Sequence, residues 1–423
     1  MTQAKSKASF GLIVLRLLAL LGIVLIVYRF ANGLGSVTNL SDGYPWGFWI
    51  GFDILAGIAL AAGGFVMAGT IHIFGGSKYH PLVRPAILTA FLGYLLFIFG
   101  LCVDLGRPWN LWIAIISWNH ASPMFEVAWC VMLYTSVLAL EFLPVIFERY
   151  KLTGLHAIWK ALVPWIIIGM LSLFTLAMTY SVVWMLIIGG ILLFWEIMMK
   201  AGLMPRDKQM PILLIMAGIM FSFMHQSSLG SLFLLAPTKL SALWYSPILP
   251  LLFLLSAITV APAMVIFESL ASEKALGHKT EFSLLAGLAK AMPYLLSFYL
   301  LLRVADLVGR YSVADAFTLS GAAVSWWLEI SIGIVIPLLL YLTPESRDSR
   351  RGLMWSSVFV IVGLIWHRLN VSVIGIKVQA WETYYPFWAE IFISVGIVSI
   401  GICAYRWAML NLPICEHNSA ESS

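Results

Sequence analysis

Residues 161–199, ALVPWIIIGMLSLFTLAMTYSVVWMLIIGGILLFWEIMM, run 39 residues with no charged side chain before Glu196. A membrane-spanning helix needs about 20 apolar residues, so this run is too long for one span even when tilted. It is read as two helices, broken at Thr179-Tyr180-Ser181. The break matters because its parity sets the side on which every later loop lies. With the break, twelve helices place 18 of the 25 Lys and Arg on the side of the N-terminus, including Lys5, Lys7, Arg149, Lys151, Arg206, Lys208, Arg347, Arg350 and Arg351. Seven fall opposite: Arg29, Arg107, Lys239, Arg303, Arg310, Arg368 and Lys377. As a single helix, every basic residue from Lys200 onward changes sides and the split becomes 13 against 12. Cytoplasmic loops carry the excess of Lys and Arg, so the two-helix reading wins and both termini are expected in the cytoplasm.

The rest of the chain has the same character. Of 423 residues 61% are hydrophobic and 11% charged, where a soluble domain carries roughly 25% charged residues. With a mean hydropathy of +0.95, this excludes a soluble enzyme. The apolar runs are continuous rather than alternating, which excludes a β-barrel. An all-α integral membrane protein is expected, with helices near 10–30, 48–74, 85–103, 124–144, 161–178 and 182–199. Six more are expected near 210–235, 245–268, 290–309, 320–342, 352–370 and 387–410. The opening MTQAKSKASF leads into an apolar run from Phe10 to about Tyr28 without a small-residue cleavage site, so it is read as a retained first helix. Cys102, Cys130, Cys403 and Cys415 form no C-x-x-C, and no iron–sulfur cluster or zinc site is read from them. The net charge of +5 reports orientation and implies no nucleic acid.

A charge at mid-bilayer costs on the order of 3 kcal/mol or more, which makes ionisable residues inside helices functional candidates. Asp53 starts the second helix, Asp104 ends the third and Glu126 lies in the first turn of the fourth, so all three carboxylates fall in the outer half. His225-Gln226-Ser227-Ser228, Arg303 with Asp306, and His367 with Arg368 rise toward the same leaflet. Each has a plainer reading: Asp53 as an interfacial cap, Asp104 paired with Arg107, Glu126 on the helix dipole, His225 as a helix–helix hydrogen-bonding node. Arg303–Asp306 and His367–Arg368 are read as mutually compensating buried pairs, and Glu196, Glu268 and Glu329 as isolated. Trp109, Trp112, Trp118, Trp381, Tyr384, Tyr385 and Trp388 suit the interfacial belt.

A transporter places its substrate near the midplane between broken helices. A one-sided polar pocket with aromatic walls suits a lipid-soluble ligand with a polar head, and a quinone fits. Haem b needs paired axial histidines; only His225 and His367 are well placed, so one haem is conceivable and a two-haem wire across the membrane is excluded.

Tyr44-Pro-Trp-Gly-Phe-Trp-Ile-Gly-Phe-Asp53, Tyr79-His-Pro-Leu-Val-Arg-Pro-Ala86, Asp104-Leu-Gly-Arg-Pro-Trp-Asn110, Phe125-Glu-Val-Ala-Trp-Cys130 and Met224-His-Gln-Ser-Ser-Leu-Gly-Ser231 resemble the NrfD/PsrC family of polysulfide-reductase-type membrane subunits. Within it the chain looks most like the integral membrane subunit of hydrogenase-2-type uptake hydrogenases. The resemblance implies two four-helix bundles plus extra helices, in the inner membrane of a bacterium or archaeon. It also implies a quinone, menaquinone by preference, near the periplasmic face, and neither haem nor iron–sulfur cluster in this chain. The implied partners are a periplasmic four-cluster ferredoxin-like subunit and a catalytic subunit, whether hydrogenase, molybdoenzyme or multihaem cytochrome. The chain is then a quinone-binding subunit that is not catalytic alone. By the same resemblance Asp104 exchanges a proton with the quinone, Glu126 relays it, and Asp53, Arg107, Trp109, His225 and Gln226 line the pocket. The implied divisions are residues 1–30, a first helical part at 31–152, a two-helix insertion at 153–205 that the hydrogenase subunit lacks, a second part at 206–410 and a polar tail at 411–423. A secondary transporter and a non-catalytic anchor are the competing readings.

Overall fold

The computed structural model describes residues 10–44, 46–72, 75–203, 212–235, 237–277, 280–377 and 384–414. Lys5, Lys7, Pro45, Arg206, Lys208, Trp381, Cys415, and the loop histidines His278 and His417, lie outside the described residues. Among the described residues twelve helices are long and apolar enough to cross a membrane. They are α1 (Phe10–Asn32), α2 (Ile50–Ile71), α3 (Lys78–Asp104), α4 (Pro123–Tyr150), α5 (Thr153–Thr179), α6 (Val182–Lys200), α7 (Leu213–Leu235), α8 (Leu249–Leu276), α9 (Phe282–Gly309), α10 (Gly321–Leu342), α11 (Arg350–Ile374) and α12 (Trp388–Asn411).

The 161–199 run is broken where its length required. α5 ends at Thr179, Tyr180 takes the left-handed conformation at φ 51°, and the Ser181 side chain accepts the Trp184 N–H at 3.4 Å as the N-cap of α6. Several helices outrun their apolar cores. α5 begins at Thr153 rather than 161, α9 at Phe282 rather than 290, and α4 reaches Tyr150 rather than 144. Hydropathy marks the hydrocarbon depth, whereas the backbone stays helical into the headgroup region, where Lys160, Lys290 and Arg149 keep their charges in a polar environment.

α2, α3, α4 and α7 pack in a ring as a first four-helix bundle, and α8, α9, α10 and α11 as a second. The bundles meet along α7–α8, α2–α8 and α2–α11. α1 lies along α12, with Gly22 against Gly396, and the α5–α6 hairpin flanks α4 and α7. The face of α6 bearing Val183, Trp184, Leu186 and Phe194 is exposed, as a lipid-facing surface would be. Alternation puts the C-terminal ends of the odd helices and the N-terminal ends of the even ones on one face, here termed distal.

Three stretches widen to π-helix: Ile50–Ala56 in α2, Ser331–Val335 in α10 and Asn370–Ile374 at the end of α11. Such widened turns cluster at functional sites, and all three pack on or belong to α11. α10 and α11 touch backbone to backbone: a Cβ added to Gly363 would lie 2.0 Å from the Gly333 Cα. Gly363→Ala should therefore lower the melting temperature in detergent through overpacking worth about 1–3 kcal/mol. Gly169→Ala, which meets open space, should hold or raise it. Equal melting temperatures by scanning calorimetry would mean that the helices spread without cost.

Candidate functional site

At the distal end of the first bundle, charged groups from four helices converge. Asp53 on α2 is 8% exposed and its Oδ2 accepts a 2.5 Å hydrogen bond from Ser394 on α12. Asp104, half-buried, is the last residue of α3 and lies within electrostatic range of Asp53, of Glu390 on α12 and of Arg29 on α1. Gly100, one turn before Asp104, makes room for Asp53: a Cβ there would come 3.3 Å from the Asp53 Cβ. α3 stops at Asp104 because Leu105 turns extended at ψ 129°, and Arg29 Nη2 donates to the freed Leu105 carbonyl at 2.5 Å. Among the described residues no hydrogen-bond donor reaches the Asp104 carboxylate, and the buried Arg29 Nε has no acceptor. Open valences of this kind on buried polar groups call for an explanation.

A polar cap covers it. Glu390 Oε1 accepts the Asn39 and Phe387 N–H groups at 3.0 and 3.2 Å, and Trp49 Nε1 donates to the Glu390 carbonyl at 3.0 Å. The Tyr384 hydroxyl donates to Glu390 Oε2 and accepts the Phe48 N–H at 2.8 Å. Tyr44 stacks on Tyr384 with ring centroids 4.8 Å apart and donates to the Val373 carbonyl. Burial pushes the Tyr44 phenol up to about 12 and raises Tyr384 too, where the bond to Glu390 adds to it.

The described structure places the expected site residues unevenly. Asp53 and Asp104 are together. His225 and Gln226 lie deeper and fully buried, and His225 faces the α3 residues Phe97 and Tyr94, below Gly100. His225 Nδ1 bonds the Tyr94 hydroxyl at 2.9 Å and Gln226 Nε2 donates to the Ile58 carbonyl at 3.1 Å, while His225 Nε2 and Gln226 Oε1 have no partner. Glu126 is half-buried in the first turn of α4, with no hydrogen bond or ion pair to Asp104 among the described residues. Arg107 and Trp109 depart from expectation. They ride the loop beyond the end of α3 and are exposed, because the extended Leu105 and the Pro108 turn carry the chain away from the helix axis. The cation beside Asp104 is Arg29, which with Glu390 and Ser394 was missed. Both ionisable residues left a signal: Arg29 breaks the charge bias, and Glu390 sits one turn inside an apolar helix.

The second bundle corrects the expected pairs. Arg303 is bound to Glu329 at 2.6 Å, not to Asp306, and Asp306 pairs instead with Arg310 at 2.8 Å. Residues three apart share a helix face, but here Glu329 on α10 faces Arg303 on α9 and takes its guanidinium. Glu329 is thus not isolated: Oε1 also takes His367 Nδ1 at 2.9 Å, and Oε2 takes Trp244 Nε1 at 2.8 Å and Asn370 Nδ2 at 2.7 Å. Arg368 does not pair with His367. Its guanidinium lies 3.6 Å over the Phe253 ring and donates to Ser256 at 2.7 Å. Glu196 likewise has a partner, Lys200 at 3.4 Å.

Residues 36–380 match the family described as polysulphide reductase, NrfD. The chain belongs to this family. It is 33% identical to the probable Ni/Fe-hydrogenase 2 b-type cytochrome subunit of Escherichia coli, across 95% of this chain and 92% of that one. It is 25% identical to the menaquinone reductase integral membrane subunit of Nitratidesulfovibrio vulgaris, across 91% and 86%. A selenate reductase subunit from Mesobacillus selenatarsenatis is 24% identical, across 95% and 93%. Its relatives are thus membrane subunits of oxidoreductase complexes.

The name of the first relative includes a b-type cytochrome, and haem b would need histidine ligands with room for its ring. His225 is enclosed by the Tyr94 and Phe97 rings in one bundle, and His367 by Phe253 and Glu329 in the other. The cavity beside His367 is about 30 Å³, room for two waters. A cavity of that size does not hold a porphyrin. Among the described residues no group of three or more His, Cys, Asp or Glu is placed to hold a metal ion.

The cap carries a pH prediction. A phenol that ionises at about 12 in the fold and about 10 in the unfolded chain stabilises the fold fully below pH 10. That contribution is lost as pH climbs from 10 toward 12. Stability in detergent should fall over this window, and Tyr44→Phe should flatten the fall. Parallel profiles for the two proteins would remove Tyr44 from the cap's energetics.

Proposed function

We propose that this chain is the quinone-reactive membrane subunit of a respiratory oxidoreductase complex, with its site at the distal face, which the charge bias makes periplasmic. One observation carries the reading: Arg29, Asp53, Asp104 and Glu390, from four helices, meet beneath one surface with the Asp104 carboxylate and the Arg29 Nε left open. Residues with open donors and acceptors fit a ring bearing two oxygens. Trp109, Trp112, Ile115 and Ile116, on the loop that follows Asp104 in sequence, are exposed apolar side chains that a ligand dissolved in lipid can meet.

A bound quinone supplies two ring oxygens that gain or lose protons as electrons arrive or leave. This chain's part is to hold and move those protons. Asp104 gives a proton to one ring oxygen or takes it away, and Arg29 balances its charge when ionised. Asp53, oriented by Ser394, and Glu126 on the neighbouring helix carry the proton to the aqueous surface. Electrons come from outside the chain, through a periplasmic iron–sulfur subunit joined to a catalytic subunit. The relatives named for hydrogenase 2, menaquinone reductase and selenate reductase support a complex of this kind. A positioned acid or base contributes about 10²–10⁴-fold.

In the assembled complex, Asp104→Asn should lower quinone-linked turnover by roughly 100-fold or more while the subunits still co-purify. Arg107→Ala, on the exposed loop, should change it by less than about twofold, the scale of a neutral surface substitution. Unchanged turnover in Asp104→Asn would remove Asp104 from the mechanism.

A further inference from the structure

Asp53 owes its position to a contact outside its own bundle. It lies in the π-helical turn Ile50–Ala56, and Gly51 of that turn abuts Ser372 of the π-helical turn Asn370–Ile374. The fit is tight: a Cβ on Gly51 would stand 2.2 Å from the Ser372 Oγ and 2.9 Å from the Leu369 Cδ2. Ser372 is fully buried and its hydroxyl bonds nothing, so its role here is steric.

What fixes Ser372 is Asn370, at the start of the same turn and also fully buried. Its Nδ2 donates to Glu329 at 2.7 Å and its Oδ1 accepts from Ser325 at 2.6 Å. Glu329 is in turn held by Arg303, His367 and Trp244. A π-turn interrupts the i→i+4 ladder of its helix with i→i+5 bonds. Tied by Asn370 to a carboxylate with four donors, it becomes a fixed wall.

We propose that Asn370 is a positioning residue for Asp53: the Glu329 centre of the second bundle holds the 370–374 turn, and Ser372 of that turn sets the place of Gly51 and so of the Asp53 carboxylate. The inference rests on the reading of Asp53 as part of the quinone site. Asp53 faces Ser394 on α12 and Asp104 on α3, and Asp104 in turn faces Glu390 on α12 and Arg29 on α1. Moving it shifts the joint titration of that group, whose apparent midpoint belongs to all of its members.

The test is binding of a fluorescent hydroxyquinoline N-oxide, a quinone analogue, to the full chain in detergent as a function of pH, alongside turnover of the complex. Asn370→Ala should weaken binding at least fivefold and displace its pH midpoint in the direction that Asp53→Asn does. Gly51→Ala should do the same, and adding Ser372→Gly, which removes the clashing hydroxymethyl group, should restore most of the affinity. Ser357→Ala also deletes a buried hydrogen bond on α11, to Tyr341 at 3.0 Å, but touches neither turn and should leave the midpoint in place. If Asn370→Ala binds with wild-type affinity and midpoint, if Ser357→Ala shifts the midpoint equally, or if Ser372→Gly fails to rescue Gly51→Ala, the inference is wrong. If Asp53→Asn and Asp104→Asn themselves leave binding and turnover unchanged, it is the quinone reading that fails.

Discussion

A charge in hydrocarbon has no water to fall back on, and this requirement shapes both bundles. Glu329 meets it completely. Four donors from Arg303, His367, Trp244 and Asn370 converge on its two oxygens, drawn from α9, α11 and the loop before α8. Such a centre adds little net stability, since desolvation offsets the Coulomb attraction. Its effect is to admit one arrangement only, because withdrawing any donor leaves a buried group unsatisfied. It locks α9, α10 and α11 in register.

The distal cluster answers the same requirement differently. Asp53 has Ser394 and Glu390 has its capping bonds, but Asp104 faces Arg29 at a distance and keeps its carboxylate open. Placing this incompletely satisfied group at a helix end near the surface limits its cost. The fully met carboxylate of Glu329 in the second bundle and the open carboxylate of Asp104 in the first are complementary. A rigid interior can hold a reactive edge, and the paired π-turns at Gly51 and Ser372 are where the two meet.

Much of the fold was legible in one dimension. The length of the 161–199 run demanded a break, and the charge bias fixed its parity; Tyr180 and Ser181 supply the left-handed turn and the cap. The candidate site was legible in part. Asp53 and Asp104 stood out as carboxylates near helix ends, but Arg107 was given the place that Arg29 holds. Adjacency in sequence favoured Arg107, whereas the packing of α1 along α12 brings Arg29 to the end of α3. The pairs Arg303–Asp306 and His367–Arg368 went astray for the same reason, since each was chosen from neighbours on a single helix.

Sequence alone determined that the described residues form twelve helices long and apolar enough to span a membrane, and that Asp53 and Asp104 lie at helix ends. Those properties depend on hydropathy, length and charge count, all of which sum along the chain. Which residues pair was decided only by tertiary structure, because partners in hydrocarbon are chosen by the faces that helices present to one another. Helix rotation and close approach, set here by glycines such as Gly333 against Gly363 and Gly51 against Ser372, leave no mark in composition or periodicity.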